Sequence, residues 1–390
     1  MSALVKAKSS ILAVFALAVA ATAILVGAGF VGGSSSKASR PAPIPKPPLR
    51  GPWHYMADAP QPIAAGRVVV WTGKEMILAG TNPGSDGTYI HSTELAESYN
   101  PVSDTWRTLA TPPETPSYCR RDAVWTGTEM LVWGCKLLAF DPAKNEWRRL
   151  PDPPTRHGIA VWTGHELIGW GGGCCGDASD DGSAYDPATN SWRKLAPAPI
   201  GGQQSPDGAW TGRELVILSG QDPEGKPVAG AAYNPTTDTW RRIADLPGRY
   251  VAVQAFYRDG NVYAVGVRSY GTSLLQLDLE RDTWKDLGVL AESPGSAVLA
   301  GNRLVMLGGE RARSAGVLYF FSPGATVPVL VPWLAQGVDP AVVWTGRRVL
   351  VWGGTSPSPA NTSSPPRYLS SGLVFRPRKV SPPLPQCCGG

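Results

Sequence analysis

Several things are scarce in this chain, and each scarcity closes off a class of answer. Histidine occurs four times in 390 residues, as His54, His91, His157 and His165. Neither His157 nor His165 has a second His, Asp or Cys at ligand spacing, so structural or solvated roles are expected rather than a metal centre. Amphipathic helical periodicity is missing after residue 34, which argues against a layered helix–sheet fold. A real surplus of positive charge is missing too. The formal charge is +5, but residues 1–52 and 376–379 hold nine of the 36 basic residues and no acid, leaving 27 basic against 31 acidic residues over 53–375. A body near −4 offers no nucleic-acid surface. Six cysteines are present, but no histidine is placed to activate one of them as a catalytic thiol.

Long apolar runs are also rare. The single one extends from Ile11 to about Gly33, behind Lys6 and Lys8. It is about the length that spans a bilayer and longer than the usual apolar core of a cleaved signal. Residues 1–33 are therefore expected to be an uncleaved anchor with its basic end inside, the alternative being a signal peptide cut after Ala23 or Ala38. Either way the body is expected outside the cytoplasm, at the cell membrane or secreted. Residues 34–52, Ser-rich and then Pro-rich, read as a semi-rigid polyproline II spacer.

Turn formers and tryptophan are abundant: 45 Gly, 38 Pro and 15 Trp. With enough apolar residues for a core, that mixture indicates an all-β, turn-rich protein. One stretch sets the pattern, Ala123–Gly134 (AVWTGTEMLVWG), two apolar runs joined by a Thr-Gly turn. Copies begin at Val70, Val161, Ala209 and Val343, and degenerate copies at Phe256 and Val298. Each reads as a β-hairpin, and seven of them at a repeating interval mean a repeat architecture.

Each hairpin is followed by an apolar run closing on Asx-Pro or a relative of it, then a turn and a Trp. Tyr99 to Trp106, Phe140 to Trp147, Tyr185 to Trp192, Tyr233 to Trp240 and Leu277 to Trp284 are all seven residues apart. Asx followed by Pro starts a turn, so each unit holds four strands, a to d. The interval from strand a to strand c varies instead, from 15 (Trp125–Phe140) to 31 (Trp344–Phe375). Length variation is thus confined to the b–c connection, which in an up-and-down sheet shares one face with the links between units. The sixth unit is irregular: its strand c is expected at Val317–Phe321, and Trp333 comes later than the spacing allows. The seventh lacks a Trp strand, which the start of the chain around Trp53 can supply, sealing the ring and removing exposed edges.

These residues resemble the kelch repeat: a hairpin ending in Gly-Gly (intact at Gly171-Gly172, Gly308-Gly309 and Gly353-Gly354), then Tyr-Asp-Pro, then Trp seven residues on. The resemblance covers residues 53–376 and is to bacterial-type exported or membrane-anchored kelch proteins. It implies a seven-bladed β-propeller of four-stranded antiparallel blades, like the central domain of galactose oxidase. It leaves a Pro-rich tail with a Cys pair at 377–390. Copper oxidases with this propeller need two His and two Tyr, one Tyr linked to Cys, and no match is found. Sialidase boxes (Ser-x-Asp-x-Gly-x-x-Trp) do not occur. No cofactor is expected.

Binding is therefore expected through the long b–c loops, Thr81–Leu95, Gly172–Ser183, Gln221–Gly230 and Thr355–Ser371. Tyr89, His91, Asp177, Asp180, Asp181, Asp222 and Glu224 are the candidate contacts with a protein or glycan. The alternative is a sugar-active enzyme, a carbohydrate oxidase or epimerase, on the same scaffold. Asp177, Ser179 and Asp181 approximate the start of a calcium loop, but Ala188 stands where the closing Glu should be. Cys119 and Cys135 are symmetric about Gly127 and so face each other across a hairpin, which predicts a disulfide in an oxidising compartment. For Cys174, Cys175, Cys387 and Cys388 several pairings remain open. Basic pairs after each Trp (Arg148-Arg149, Arg193-Lys194, Arg241-Arg242) read as edge-strand charges that discourage edge pairing. The recurring Trp residues read as core between blades. Asn361-Thr362-Ser363 is a formal glycosylation sequon.

Overall fold

The structure is a computed structural model describing residues 46, 48–49, 53–63, 65–82, 93–113, 121–155, 158–173, 177–218, 229–247, 251–268, 271–290, 294–300, 303–308, 316–322, 325–331, 340–356 and 367–376. The chain divides into two compact units at Pro47/Pro48, within the expected spacer. Among the described residues no helix is long and apolar enough to cross a membrane; the segment expected to be an anchor, 1–33, lies outside them, as does the tail from 377.

Four strands make each large sheet, consecutive in all but the last, with every neighbour antiparallel. The first sheet is Ala65–Trp71, Met76–Asn82, Thr93–Asn100 and Thr105–Thr108; the second Asp122–Trp125, Met130–Trp133, Leu137–Asp141 and Glu146–Arg149. The third is Ile159–Trp162, Leu167–Trp170, Gly182–Asp186 and Ser191–Lys194, and the fourth Gly208–Trp210, Leu215–Ile217, Ala231–Asn234 and Thr239–Arg242. The fifth comprises Val251–Arg258, Asn261–Arg268, Gly271–Asp278 and Thr283–Leu290. The sixth comprises Pro294–Ala300, Arg303–Gly308, Gly316–Ser322 and Ala325–Val331. The last joins Ala341–Trp344, Val349–Trp352 and Gly372–Phe375 to Trp53–Tyr55 from the start of the chain. First strands neighbour one another in order around the sheets, the last against the first, so they surround a central axis. This is the arrangement of a β-propeller.

Side-chain register explains the sequence intervals. Trp71, Met76, Tyr99 and Trp106 stand in one row across the first sheet. Trp125, Met130, Phe140 and Trp147 repeat that row in the second. Trp210, Leu215, Tyr233 and Trp240 repeat it in the fourth. Seven residues from aromatic to Trp is the span of one tight c–d turn with its flanking register pair. Trp53 pairs with Phe375, their rings 4.7 Å apart, so the first strand does supply the missing row of the last sheet.

Trp106, Trp147, Trp192 and Trp240 of the outer strands pack inward against their own Tyr or Phe, and three of them also reach across onto the preceding sheet. Trp192 lies 4.8 Å from Trp133, Trp240 5.9 Å from Trp170, and Trp106 5.4 Å from Trp352. Those three partners close second strands and are fully buried. A Cβ on Gly169 would sit 2.3 Å from the Trp133 ring, so only glycine lets the second and third sheets approach this closely. The Trp residues are thus core between sheets, each burying a large apolar area.

Two details differ from expectation. In the sixth sheet the fourth strand is Ala325–Val331, directly after the third and without a Trp; Trp333 lies outside the described residues. The first long loop is shorter than Thr81–Leu95, because pairing continues through Thr81, Asn82 and Thr93–Leu95. Within the last one, Thr355–Ser356 pairs with Arg367–Tyr368 as a small ribbon.

Candidate functional site

Up-and-down strand order gives the molecule two unlike ends. At one lie the a–b and c–d turns; at the other lie the b–c loops and the links between sheets.

The turn end is standardised. In each Thr-Gly turn the Thr hydroxyl accepts from the following amides, as Glu75 N–H to Thr72 Oγ1 at 2.9 Å and Glu129 N–H to Thr126 Oγ1 at 3.0 Å. The Thr N–H returns to the carbonyl three residues on, a Glu in four turns and Arg348 in the last, and the glycine takes the left-handed conformation, φ +94° at Gly73 and +107° at Gly127. In the c–d turns Asp104, Asn145, Asn190, Asp238 and Asp282 hold the same left-handed conformation, φ +51° to +57°, which Asx tolerates best after glycine.

These Asx side chains form a latch between sheets. Ala196 N–H donates to Asp238 Oδ1 (3.0 Å), and the Trp240 indole donates to the carbonyl of the same alanine (2.8 Å). Asp104 with Trp106 grips Ala57 in the same way, Asn145 with Trp147 grips Ala110, and Asp282 with Trp284 grips Ala244. Trp192 takes the Pro151 carbonyl; proline has no N–H, and Asn190 there accepts from Tyr185 (2.7 Å). Tyr99 and Tyr233 donate to Asp104 and Asp238. Burial first, and then that bond, hold both phenols well above the ordinary tyrosine value. For Asp238 burial opposes ionisation, but Tyr233, Ala196 N–H and Arg193 outweigh it and lower the carboxyl.

The basic residues after each Trp have two roles. Arg107, Arg148, Arg193 and Arg241 pair with Glu75, Glu129, Glu166 and Glu214 of the Thr-Gly turns at 2.7–3.0 Å. The next residues, Arg149, Lys194 and Arg242, stay exposed on the outer strand, as the edge reading expects.

The loop end is individual. Its best described part is the b–c loop of the third sheet, Gly171 to Asp181. Gly171 N–H donates to Asp181 O (2.9 Å), Gly172 N–H to Gln203 O (2.8 Å) and Ser179 N–H to Gly172 O (2.7 Å). The Trp170 indole caps the Asp180 carbonyl at 3.2 Å. Pinned this way, the loop turns Asp177, Asp180 and Asp181 out to solvent. Ser179 spends its hydroxyl on Asp181 Oδ1, and among the described residues no three His, Cys, Asp or Glu side chains converge as a metal group. The loop offers carboxylate acceptors, suited to hydroxyls, amides or cationic side chains. Tyr89, His91, Asp222 and Glu224 lie outside the described residues, so the structure brings together the three aspartates alone.

In the second sheet Cys135 is disulfide-bonded; Cys119, its expected partner, lies outside the described residues, as do Cys174, Cys175, Cys387, Cys388 and Asn361. Beside it Arg121 makes a buried two-pronged pair with Glu94, 2.9 and 2.5 Å, between the first two sheets. Sequence reasoning missed this pair, and it also missed Glu97. The Glu97 side chain is buried in the third strand of the first sheet, where the equivalent residues Leu138, Ser183, Ala231, Leu275 and Leu373 carry no charge. A lone carboxylate at that repeat position was a readable signal. Burial pushes Glu97 up to about 7, against the opposing bond from Gln61 N–H.

Comparisons with known proteins agree with this geometry. Residues 171–199, the loop just described with the Tyr and Trp strands that follow, match the Kelch motif family. No curated protein matches the sequence. Among solved structures, one titled "Structure of YjhT" superposes with a TM-score of 0.52 at 13% identity, covering 70% of this chain and 99% of that one. At that identity the likeness speaks to fold alone.

Proposed function

From the premise that this protein is a kelch-repeat β-propeller, we propose that it is a binding module: a seven-bladed ring, exported or membrane-tethered, that recognises a protein or glycan through its loop end. One observation carries the reading. Five hairpins share the Thr-Gly turn and five c–d turns share the left-handed Asx, whereas the b–c connections differ in length and sequence from blade to blade, the usual division between scaffold and recognition in repeat proteins. The exposed Asp177, Asp180 and Asp181 are the contacts we assign first, and a Cys119–Cys135 disulfide fits an extracytoplasmic setting.

The test is binding of the full chain to arrayed glycans and to envelope proteins, repeated with Asp177, Asp180 and Asp181 changed to Asn. Loss of a specific interaction in the triple variant, with the fold unchanged, supports the reading. An interaction indifferent to every loop substitution overturns it. Turnover of an arrayed sugar would replace it with the enzymatic alternative.

A further inference from the structure

The ring closes where its first strand joins its last sheet, and the residues that follow that strand bridge to the first sheet. Residues 53–63 are held to the last sheet by the Trp53–Tyr55 pairing and by Met56 N–H to Gly372 O and Ala59 N–H to Ser370 O. They are held to the first sheet by four hydrogen bonds: Asp104 and Trp106 on Ala57, Arg67 on the Ile63 carbonyl, and Glu97 Oε1 accepting from Gln61 N–H at 3.1 Å. Glu97 is 1% exposed. It stands opposite Leu78 and two residues before Tyr99, on the strand face whose Met76, Leu78 and Tyr99 cluster with Met56, Ala59, Ile63 and Trp352. Its second oxygen, Oε2, is buried and has no hydrogen-bond partner among the described residues.

Such a carboxyl is tolerable when neutral and costly when ionised, because a buried charge needs partners that this site does not supply. Charged groups on the elements around it are engaged elsewhere or point away. Arg67 donates to Ile63 O, Asp104 serves Ala57 and Tyr99, Asp58 is exposed, and Arg107 is on the opposite face with Glu75. The cheapest relief for an ionised Glu97 is water, and water reaches it by lifting residues 56–63.

We propose that Glu97 makes the ring seam a pH-sensitive latch, firm while its carboxyl is protonated and loosened once it ionises. The sign follows from the raised value: an acid whose folded pKa lies above its unfolded one favours the closed form at low pH. That contribution is present in full below 4.5, fades as pH rises and is gone above about 7.

Hydrogen exchange of the full chain across pH 4.5–8.5, corrected for intrinsic rates, tests this. Protection of the peptide covering 53–63 is expected to fall by roughly tenfold to a hundredfold with rising pH, while the fourth sheet (231–242) does not move with it. Glu97→Gln, which keeps an acceptor for Gln61 N–H, and Glu97→Leu, which does not, should both abolish that pH dependence. A seam whose protection is flat with pH in the native chain overturns the proposal. So does a pH dependence that persists in both variants, or one shared equally by the fourth sheet.

Discussion

The two ends of the blades are built from the same strands but follow different rules. At the turn end, five c–d turns place Asx in one left-handed conformation, and four of them use it with the following Trp to grip both polar atoms of one alanine in the neighbouring sheet. At the loop end, even adjacent units share little: the second sheet crosses from b to c through Gly134–Lys136, the third through the pinned aspartate loop. Precise repetition is the mark of packing, since each blade must meet its neighbour at the same angle for the ring to close. Divergence is tolerated at the other end, where contacts between blades such as Glu94–Arg121 are made one at a time rather than repeated.

The contrast can be broken most severely at the turn end. Trp240→Ala removes a ring packed on Tyr233 and Trp170 together with the indole bond to Ala196. It should cost about 3–5 kcal/mol in denaturant unfolding. Gly169→Val, which forces a side chain into the Trp133 ring, should cost at least roughly 1–3 kcal/mol by overpacking. Asp238→Ala strips an acceptor from Ala196 N–H and Tyr233 and should cost about 1–3 kcal/mol. Because Asp238 is held below its ordinary value of 3.8, it contributes stability at neutral pH that is lost as pH falls through and below that value. Asp238→Asn, which keeps an acceptor, should flatten this acid limb, read from unfolding midpoints between pH 2 and 5. Arg148→Ala at the half-exposed pair with Glu129 should cost less than about 1 kcal/mol. Smallest of all, Asp177→Asn and Asp180→Asn should leave stability within roughly 0.5 kcal/mol, although on the proposed function they remove binding.

That same contrast governs what could be read from the sequence. The fold was legible because its determinants are local and repeated: the Thr-Gly turn, the Asx in the next turn, and the seven-residue step from Tyr to Trp. Even the ring closure could be read, since Trp53 repeats the row of Trp147 and Trp192. The missed features are those in which one blade departs from its copies because of a distant neighbour. The Glu94–Arg121 pair joins residues 27 apart across two sheets, and Glu97 answers to Gln61, 36 residues away. The second roles of Arg148, Arg193 and Arg241 were hidden for another reason: they do repeat, but each Glu partner lies in the Thr-Gly turn of the same blade, distant in sequence and brought close only by the sheet. The outer strand of the irregular sixth unit stayed unassigned in the sequence because it is built from Ala325–Val331, aliphatic residues with no aromatic to flag them.

The claim that recognition sits at the loop end is tested most directly by comparing two variants of the full chain for binding to one arrayed ligand. One carries Asp177→Asn, Asp180→Asn and Asp181→Asn; the other carries Lys74→Ala, Arg213→Ala and Arg347→Ala in the exposed Thr-Gly turns. Affinity lost in the loop variant and retained in the turn variant is the predicted result. Affinity retained in the loop variant and lost in the turn variant would contradict it.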